Sequence, residues 1–471
     1  MNIVHISWKN IWRNKLRSSI VIGAIAVGIL SGTYCVAIIL GMIQGRIDDA
    51  IFKEVGHIQM HNPGFVTNYE TEYTISNVSD VYEKIKQIPQ VKSLANHTVS
   101  HVQLSTGYTG SGALVTGINP KHEKEISDIH KCLWNSTGTY FEEDMYMPVF
   151  LSKEIAENLL LDYYRIDSSF FETCTHIPDS VTGKLQSTKV YRSKTDFLQY
   201  VKTTISPELI ERYKTDFLNA ALFFKTGKKI SYSVLSKDKE VQTGICKIAG
   251  VYKTSNSMFD ARNIFMLNSD LQSLLHTDAD ETHEIQILLH DAENVSAVMS
   301  QLQTLFPNLQ IRSWKELKPD AGMQADLMNM YGIIFIIIIL GALGFGIVNT
   351  MLMVVLERVK EIGMLMAIGM NKKRVYSMIL FETVLLCLVG AAIGMVGGYY
   401  LIQATASGID ISSLAQGLES VGYAPILYPQ LDVVFFVQVS VLTIITGILA
   451  ALYPAYKAIK FNPADAIRSD V

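Results

Sequence analysis

The stretch from residue 327 to residue 356 reads LMNMYGIIFIIIILGALGFGIVNTMLMVVL and contains no charged side chain. About 20 apolar residues in a helix are enough to cross the hydrocarbon core of a bilayer. Three further stretches are similarly apolar, and one of them is interrupted only by Glu382. A surface helix of a soluble protein would need a polar face that these stretches lack. The sequence therefore predicts four transmembrane α-helices, at residues 18–45, 327–356, 375–402 and 432–456.

The first apolar stretch, residues 18–45, could be taken for a secretory signal. It is longer than the roughly 7–15-residue apolar core of a cleaved signal, and no small-x-small cleavage site follows it. We therefore expect a retained membrane anchor.

Lysine and arginine are distributed unevenly around the predicted helices. They are frequent before the first helix, between the second and third, and after the fourth, whereas residues 403–431 contain none. Positively charged flanks stay in the cytoplasm. This predicts cytoplasmic positions for residues 1–17, the loop 357–374 and the tail 457–471, with a short periplasmic loop at 403–431. Residues 46–326 then form a large extracytoplasmic domain inserted between helices 1 and 2.

Residues 46–326 alternate hydrophobic patterns of period two and period 3.6, which predicts an α+β domain. The pattern is weaker and more polar between residues 162 and 220, which indicates an insertion or subdomain. Residues 317–330 enter the second apolar stretch without a Gly-Pro break, so we expect a continuous helix there. Residues 1–17 place aromatic and basic side chains on different sides of a helix, as interfacial helices do; the alternative is a charged segment that only sets topology.

No pattern in the chain points to catalysis. Gly183-Lys184 and Gly227-Lys228 lack the following Ser or Thr and the preceding glycine of a phosphate-binding loop. A Gly-x-Ser-x-Gly elbow is also missing. The net charge of −4, without a basic cluster, gives no reason to expect nucleic acid. We expect no catalytic residue and no nucleotide site in this chain.

Two histidine pairs, His57/His61 and His97/His101, have the four-residue spacing that could hold zinc on a helix. Their contexts are typical of extended chain, where four residues lie too far apart, so we expect no metal site. Three cysteines of the inserted domain permit at most one disulfide: Cys132, Cys174 and Cys246.

The most specific pattern is NTMLMVVLERVKEIGMLMAIGM at residues 349–370. It resembles the C-terminal module of FtsX/MacB-type (type VII) ABC transporter permeases, whose second helix ends in Glu-Arg followed by Glu-Ile-Gly and Ala-x-Gly. Glu382, the Tyr-Pro-Ala at 453–455 and the Asn-Pro-Ala-Asp-Ala-Ile-Arg at 462–468 match the same family. Within it, the chain is most similar to the lipoprotein-releasing (Lol-type) permeases.

This resemblance implies a non-catalytic permease subunit that works with a separate ABC ATPase. The ATPase would bind ATP and Mg, and a coupling helix of this chain would dock into it. The alternative is a loop whose charges only fix topology. The implied coupling residues are Glu357, Arg358, Glu361, Ile362, Gly363, Met364, Leu365, Ala367, Ile368 and Gly369.

The resemblance also implies a second permease copy or a paralogue in a bacterial inner membrane. For function, the first choice that the resemblance implies is extraction of lipoproteins, or of another lipid-linked substrate. A periplasmic chaperone or adaptor would take part in this step. One alternative is efflux of a periplasmic toxin, peptide or macrolide through an adaptor and an outer-membrane duct. Another is mechanical regulation of a cell-wall hydrolase. The residues that contact the substrate stay unassigned.

Glu382 lies within the third apolar stretch, where a charge is costly. We expect a structural ion pair with Arg374 or with the coupling segment, or a side chain that reaches the interface. In the same stretch Gly390, Gly394 and Gly398 recur at the spacing that lets two helix backbones pack closely.

Overall fold

A computed structural model describes most of the chain: residues 7–8, 11, 13, 15–141, 145–174, 177–185, 189–411, 417–418, 422–431 and 433–460. The chain divides into two compact units. The first, called the membrane unit here, comprises Met1–Gly45, Gln324–Asp410 and Ile426–Val471. The second, called the inserted domain, comprises Arg46–Met323 and Ile411–Pro425.

Among the described residues, four helices are long and apolar enough to cross a membrane. This confirms the predicted fold class of four membrane helices with a large domain between the first and the second. A short helix, Val359–Ala367, follows the second. The four helices are Lys15–Asp49, Pro319–Glu357, Lys372–Ala404 and Val433–Ile459.

Two helix ends differ from the predicted boundaries by more than three residues. The first helix does not stop at residue 45: it continues to Asp49 and then into a π-helix, Ala50–Val55. The second begins at Pro319 rather than at residue 327. Proline is well suited to a first helical turn, because its missing N–H would have no partner inside the helix. The expected continuous helix is therefore present from Pro319 onward.

The glycine pattern of the third membrane helix lies against the first membrane helix. A Cβ atom added at Gly394 would lie 2.7 Å from the Ala26 carbonyl oxygen, and one at Gly398 would lie 2.7 Å from Thr33 Oγ1. Gly390 is equally close to Ile25. The glycines therefore let two backbones approach within a distance that no side chain would permit, as their spacing predicted.

The loop after the third membrane helix is short and partly ordered by hydrogen bonds. Strands Ile409–Asp410 and Ile426–Leu427 pair as an antiparallel hairpin. The Gln430 N–H donates to the Ala37 carbonyl of the first membrane helix over 3.1 Å. Residues 412–416 and 419–421 of the predicted periplasmic loop lie outside the described residues.

Within the described residues, the inserted domain is built on one mixed ten-stranded sheet. The strands of the domain are β1 (Ile58–His61), β2 (Ile75–Ser76), β3 (Val91–Ser105), β4 (Gly110–Ile118), β5 (Leu133–Gly138), β6 (Pro148–Ser152), β7 (Asp162–Tyr164), β8 (Leu222–Phe224), β9 (Lys229–Leu235), β10 (Val241–Tyr252), β11 (Asn263–Leu267), β12 (Glu281–Thr282), β13 (Glu284–Leu289) and β14 (Gln310–Ser313). The order of the large sheet is β14-β1-β13-β3-β4-β11-β6-β10-β5, and β9 pairs with both β10 and β3. The pairs β2 with β12 and β7 with β8 lie off this sheet.

Helices pack against this sheet around two main apolar cores. One core joins β1, β13 and β14 to the helices Val78–Lys86 and Val295–Leu305. A larger core lies among β3, β4, β6, β9 and β10. The α-helices of the domain are Phe65–Asn68, Val78–Lys86, Pro120–Ile126, Lys153–Asn158, Ser168–Thr173, Asp179–Thr182, Lys194–Thr204, Pro207–Ala221, Ser257–Asp260, Asn268–Leu275, Val295–Leu305 and Trp314–Leu317.

The weakly patterned stretch 162–220 is a mainly helical excursion. It leaves the sheet region at β7 and returns at β8, and these two strands pair antiparallel, with Asp162 opposite Phe224. Its aromatic side chains pack on one another: the rings of Tyr164 and Phe197 stack with centroids 5.5 Å apart. The excursion therefore begins and ends at the same place in the domain.

Replacement of Gly394 by leucine tests the seam between the first and third membrane helices. The new side chain has no room beside Ala26, so overpacking should destabilise the membrane unit by about 1–3 kcal/mol. Gly341→Leu is the matched control, because an added Cβ at Gly341 meets nothing within 4 Å. Thermal unfolding in detergent should show a lower Tm for Gly394→Leu only; equal effects of both substitutions would contradict the seam.

Candidate functional site

Residues 357–369, called the coupling segment here, turn the chain between the second and third membrane helices. The short helix Val359–Ala367 forms most of the segment. Gly369 ends it with a φ of 99°, a left-handed conformation that glycine adopts at least cost. The Asn371 side chain then accepts a hydrogen bond of 3.1 Å from the Lys373 N–H and caps the third helix. The local sequence thus fixes both ends of the segment.

Arg358 is the centre of an ion cluster at the start of this segment. Its Nη1 donates to the two carboxylate oxygens of Glu382 over 3.0 and 3.1 Å. Its Nε donates to Glu361 over 3.0 Å. The side chains of Arg358 and Glu382 are only 16% and 8% exposed. Burial opposes the charge on Arg358, but the carboxylates outweigh it, so that the pKa of the guanidinium is raised.

The predicted pairing of Glu382 with Arg374 is therefore wrong, whereas its pairing with the coupling segment is what the structure contains. Arg374 is exposed. It lies eight residues before Glu382 on the same helix, which corresponds to about 12 Å along the axis. Arg358 reaches Glu382 because the chain reverses direction between the two membrane helices.

The N-terminal segment adds a second basic group to this cluster. Arg13 forms an ion pair with Glu361. Burial raises the pKa of Glu361, but hydrogen bonds from Arg358 and Arg13 outweigh it and the pKa is lowered. Ile11 is buried in the membrane unit and Trp8 is exposed. Residues 1–6, 9–10, 12 and 14 of the predicted interfacial helix lie outside the described part of the chain.

The residues predicted to couple to an ATPase divide between an inner and an outer side of the short helix. Ile362 and Gly363 are buried, and Leu365 is half-buried. Ile368 is 86% exposed and Met364 51%. The arrangement presents apolar side chains beside charged ones on a short, anchored helix. The outer side consists of Glu357, Lys360, Met364, Ala367 and Ile368.

A second arginine-centred cluster lies in the inserted domain and was not recognised in the sequence. Arg46, in the last turn of the first helix, donates to Glu54 and to Asp320 over 2.9 Å each. Lys318 Nζ lies 2.5 Å from Glu54, and the Asn256 amide donates to the same carboxylate over 2.9 Å. Arg46 and Glu54 are almost fully buried. No spacing rule joins residues 46 and 320, so the sequence carried no signal for this contact.

Two of the four histidines considered for zinc, His61 and His97, belong to a buried row of acids and bases instead. His61, Glu284 and His97 are direct neighbours across β1, β13 and β3. His97 Nδ1 lies 2.9 Å from Glu284 and its Nε2 lies 2.7 Å from Glu123. Burial lowers the pKa of His97, but the two carboxylates outweigh it and raise this pKa to about 10. Burial likewise opposes the ionised form of Glu284, yet hydrogen bonds from His61 and His97 lower its pKa to about 2.

The structure shows how the acidic and histidine side chains and the three cysteines of the inserted domain are arranged. Within the part of the chain that the structure describes, no group of three or more His, Cys, Asp or Glu side chains is arranged to hold a metal ion. The thiols of Cys132, Cys174 and Cys246 are all free.

Residues 333–463 match the family model described as FtsX-like permease C-terminal. The macrolide export ATP-binding/permease protein MacB of Neisseria meningitidis serogroup A is 24% identical over 243 residues. The match covers 47% of this chain and 34% of that protein. The lipoprotein-releasing system transmembrane protein LolC of Haemophilus influenzae is 28% identical over 204 residues, which cover 42% of this chain and 48% of LolC.

The chain thus matches about a third to a half of the length of these curated relatives. Among solved structures, the periplasmic region of MacB from Actinobacillus actinomycetemcomitans aligns over 56% of this chain and 90% of that one. The sequence identity is 12% and the TM-score is 0.28, which is too low to compare architectures.

Substitution of Arg358 tests the ion cluster. Arg358→Ala leaves the carboxylate of Glu382 buried without its partner, which should cost about 3 kcal/mol. The double variant Arg358→Ala/Glu382→Gln should recover much of this loss, because the uncompensated charge is gone. Arg374→Ala is the control and should leave the Tm in detergent nearly unchanged. An effect of Arg374→Ala equal to that of Arg358→Ala would restore the pairing expected from the sequence.

The acid–base row predicts a pH dependence of the inserted domain. The pKa of His97 is raised from 6.5 to about 10, so its contribution is complete below pH 6.5 and declines as the pH rises toward 10. The pKa of Glu284 is lowered from 4.5 to about 2, so its contribution is complete above pH 4.5 and declines toward pH 2. Unfolding of the full chain in detergent should therefore occur at a lower temperature at pH 9 than at pH 6. His97→Gln should show a flatter dependence in that range; an unchanged slope would rule out His97 as its source.

Proposed function

We propose, starting from the FtsX-like permease C-terminal domain at residues 333–463, that this chain is the membrane subunit of an ABC transporter. A separate ATPase subunit binds its coupling segment, and ATP and Mg bind to that ATPase. The chain itself contributes no group to nucleotide hydrolysis.

The outer side of the coupling segment is the observation that carries this proposal. A short amphipathic helix that presents a few apolar anchors can insert into a groove of a partner. Here Met364 and Ile368 are the anchors, and Glu357 and Lys360 lie beside them. The Arg358 cluster supports the same proposal, because it links the short helix to Glu382 on the third membrane helix. A displacement of the short helix by a docked partner would therefore also displace the membrane helix.

The proposed transmission of motion follows the second membrane helix. This helix is continuous from Pro319 to Glu357, directly before the coupling segment. An uninterrupted hydrogen-bonded helix resists axial compression, so a displacement at Glu357 is passed along it toward Pro319. The excess of Lys and Arg in residues 1–17, 357–374 and 457–471 supports a cytoplasmic position of the coupling segment, with the inserted domain on the other side.

For the substrate, we propose lipoproteins that are extracted from a bacterial inner membrane and handed to a periplasmic chaperone. The similarity to LolC supports this choice. Efflux through an adaptor is the second candidate, and the similarity to MacB favours it. The 471 residues contain no phosphate-binding loop, which fits a partner ATPase in either case. A second copy of this chain or a paralogue completes the proposed transporter.

Affinity purification of the full chain in mild detergent tests the proposal. The wild type should retain an ABC ATPase, and Ile368→Glu should reduce its recovery more than tenfold, because a central apolar anchor is typically worth about 2 kcal/mol or more. Val241→Glu is the matched control, since Val241 is 65% exposed on β10 of the inserted domain. Absence of any ATPase from the wild-type preparation would contradict the proposal.

Mass spectrometry of the same preparation separates the two substrates. Retained triacylated lipoproteins support lipoprotein release. An adaptor protein without lipoproteins supports efflux.

A further inference from the structure

The inserted domain contains a cavity of about 940 Å³ that no step of the proposed function uses. One face of the ten-stranded sheet forms its floor. Along β3, His101 and Gln103 line the cavity, whereas Leu104 lies in the apolar core. The volume is at the upper end of the range for small-molecule pockets, about 300–1,000 Å³.

The cavity is long in the direction across the strands. Lining residues come from β14, β1, β13, β3, β4 and β11, which are consecutive in the sheet. Strands are spaced by about 4.8 Å, so five steps span roughly 24 Å. An extended peptide rises about 3.3 Å per residue, so about seven residues would fit this length.

The floor is rich in groups that both donate and accept hydrogen bonds. Gln59 lies between Arg312 and Gln286 in a row across β14, β1 and β13, and all three line the cavity. Each glutamine amide offers two donors and an acceptor, which is the combination that a peptide backbone requires. A floor of amides and hydroxyls suits such a ligand better than an acyl chain. The floor's polar members are Gln59, Gln103, Thr116, Ser233 and Gln286.

The lining contains five Arg or Lys side chains and five Asp or Glu side chains, and most of them form ion pairs. Its buried carboxylates are already paired: Glu54 with Arg46 and Lys318, and both Glu123 and Glu284 with His97.

Two arginines of the lining, Arg262 and Arg312, have no carboxylate partner among the described residues. The carboxylate of Glu316, also in the lining, accepts a hydrogen bond from the Ser313 hydroxyl and has no cationic partner among the described residues. Arg312 lies on β14 and Arg262 directly precedes β11, so they mark the two ends of the row of strands. Such an arrangement complements a ligand that carries carboxylates at separated positions.

We propose that this cavity binds an extended peptide segment with acidic side chains, held by Arg262 and Arg312 at its ends and by the glutamines between them. Met258, which is exposed at the rim, adds an adaptable apolar contact. The inference rests on the proposed function, since the bound segment would be the peptide part of the transported substrate.

Binding of a labelled peptide to the purified full chain tests this inference. The probe is a fluorescein-labelled octapeptide of alternating Ser and Glu, and the comparison peptide has Gln in place of every Glu. Fluorescence anisotropy should detect the acidic peptide at a Kd at least about tenfold lower. Arg262→Gln and Arg312→Gln should each weaken binding about fivefold to tenfold, because each removes a charge-assisted hydrogen bond.

Two further variants keep the test specific. Arg192→Gln removes an exposed arginine outside the cavity and should leave binding unchanged. Thr116→Trp should fill the floor and abolish binding while both arginines remain. Equal losses for Arg192→Gln and Arg312→Gln, full binding by Thr116→Trp, or displacement of the peptide by anionic phospholipid would overturn the proposal. Retention of the ATPase by the same variants shows that a failure here leaves the permease proposal intact.

Discussion

The pairing of Arg358 with Glu382 and Glu361 is the contact on which the position of the coupling segment depends. It places a nearly buried guanidinium between two carboxylates, one on the third membrane helix and one on the coupling segment. A charged pair at this depth is maintained only when both partners are present, since an isolated charge would be expelled or neutralised. The direction of the short helix, and with it the exposure of Ile368, follows from this contact.

The apolar stretches predicted the membrane helices, and the glycine spacing predicted close packing of the third helix. That its partner is the first helix came from the structure alone. The partner of Glu382 could not be predicted to the residue. Periodicity describes one helix at a time, whereas Arg358 approaches from a segment whose path depends on Gly369 and Asn371 together. Arg46 was missed for a similar reason, because its partners include Asp320, far along the chain.

In the inserted domain the sequence predicted an α+β fold but not the order of its strands. In the row His61–Glu284–His97, Glu284 lies 187 positions from His97 and 223 positions from His61 in the sequence. The register between such strands is set by burial of the apolar face of each strand in the core. The β-propensity of the individual residues does not determine it. The sequence around His61 and His97 predicted extended chain, and both residues lie in strands. Nothing local to them indicated that their neighbours would be the carboxylates of Glu284 and Glu123.

The antiparallel closure of β7 on β8 has a consequence for how this domain can diversify. The excursion leaves and rejoins the sheet region at points only one strand spacing apart, about 4.8 Å. Its contents can therefore be lengthened, shortened or exchanged without altering the connectivity of the ten strands, provided that the replacement covers Phe224 and its neighbours again. In this sense the helices between Tyr164 and Leu222 are a module, and the domain is a fixed frame with one exchangeable part.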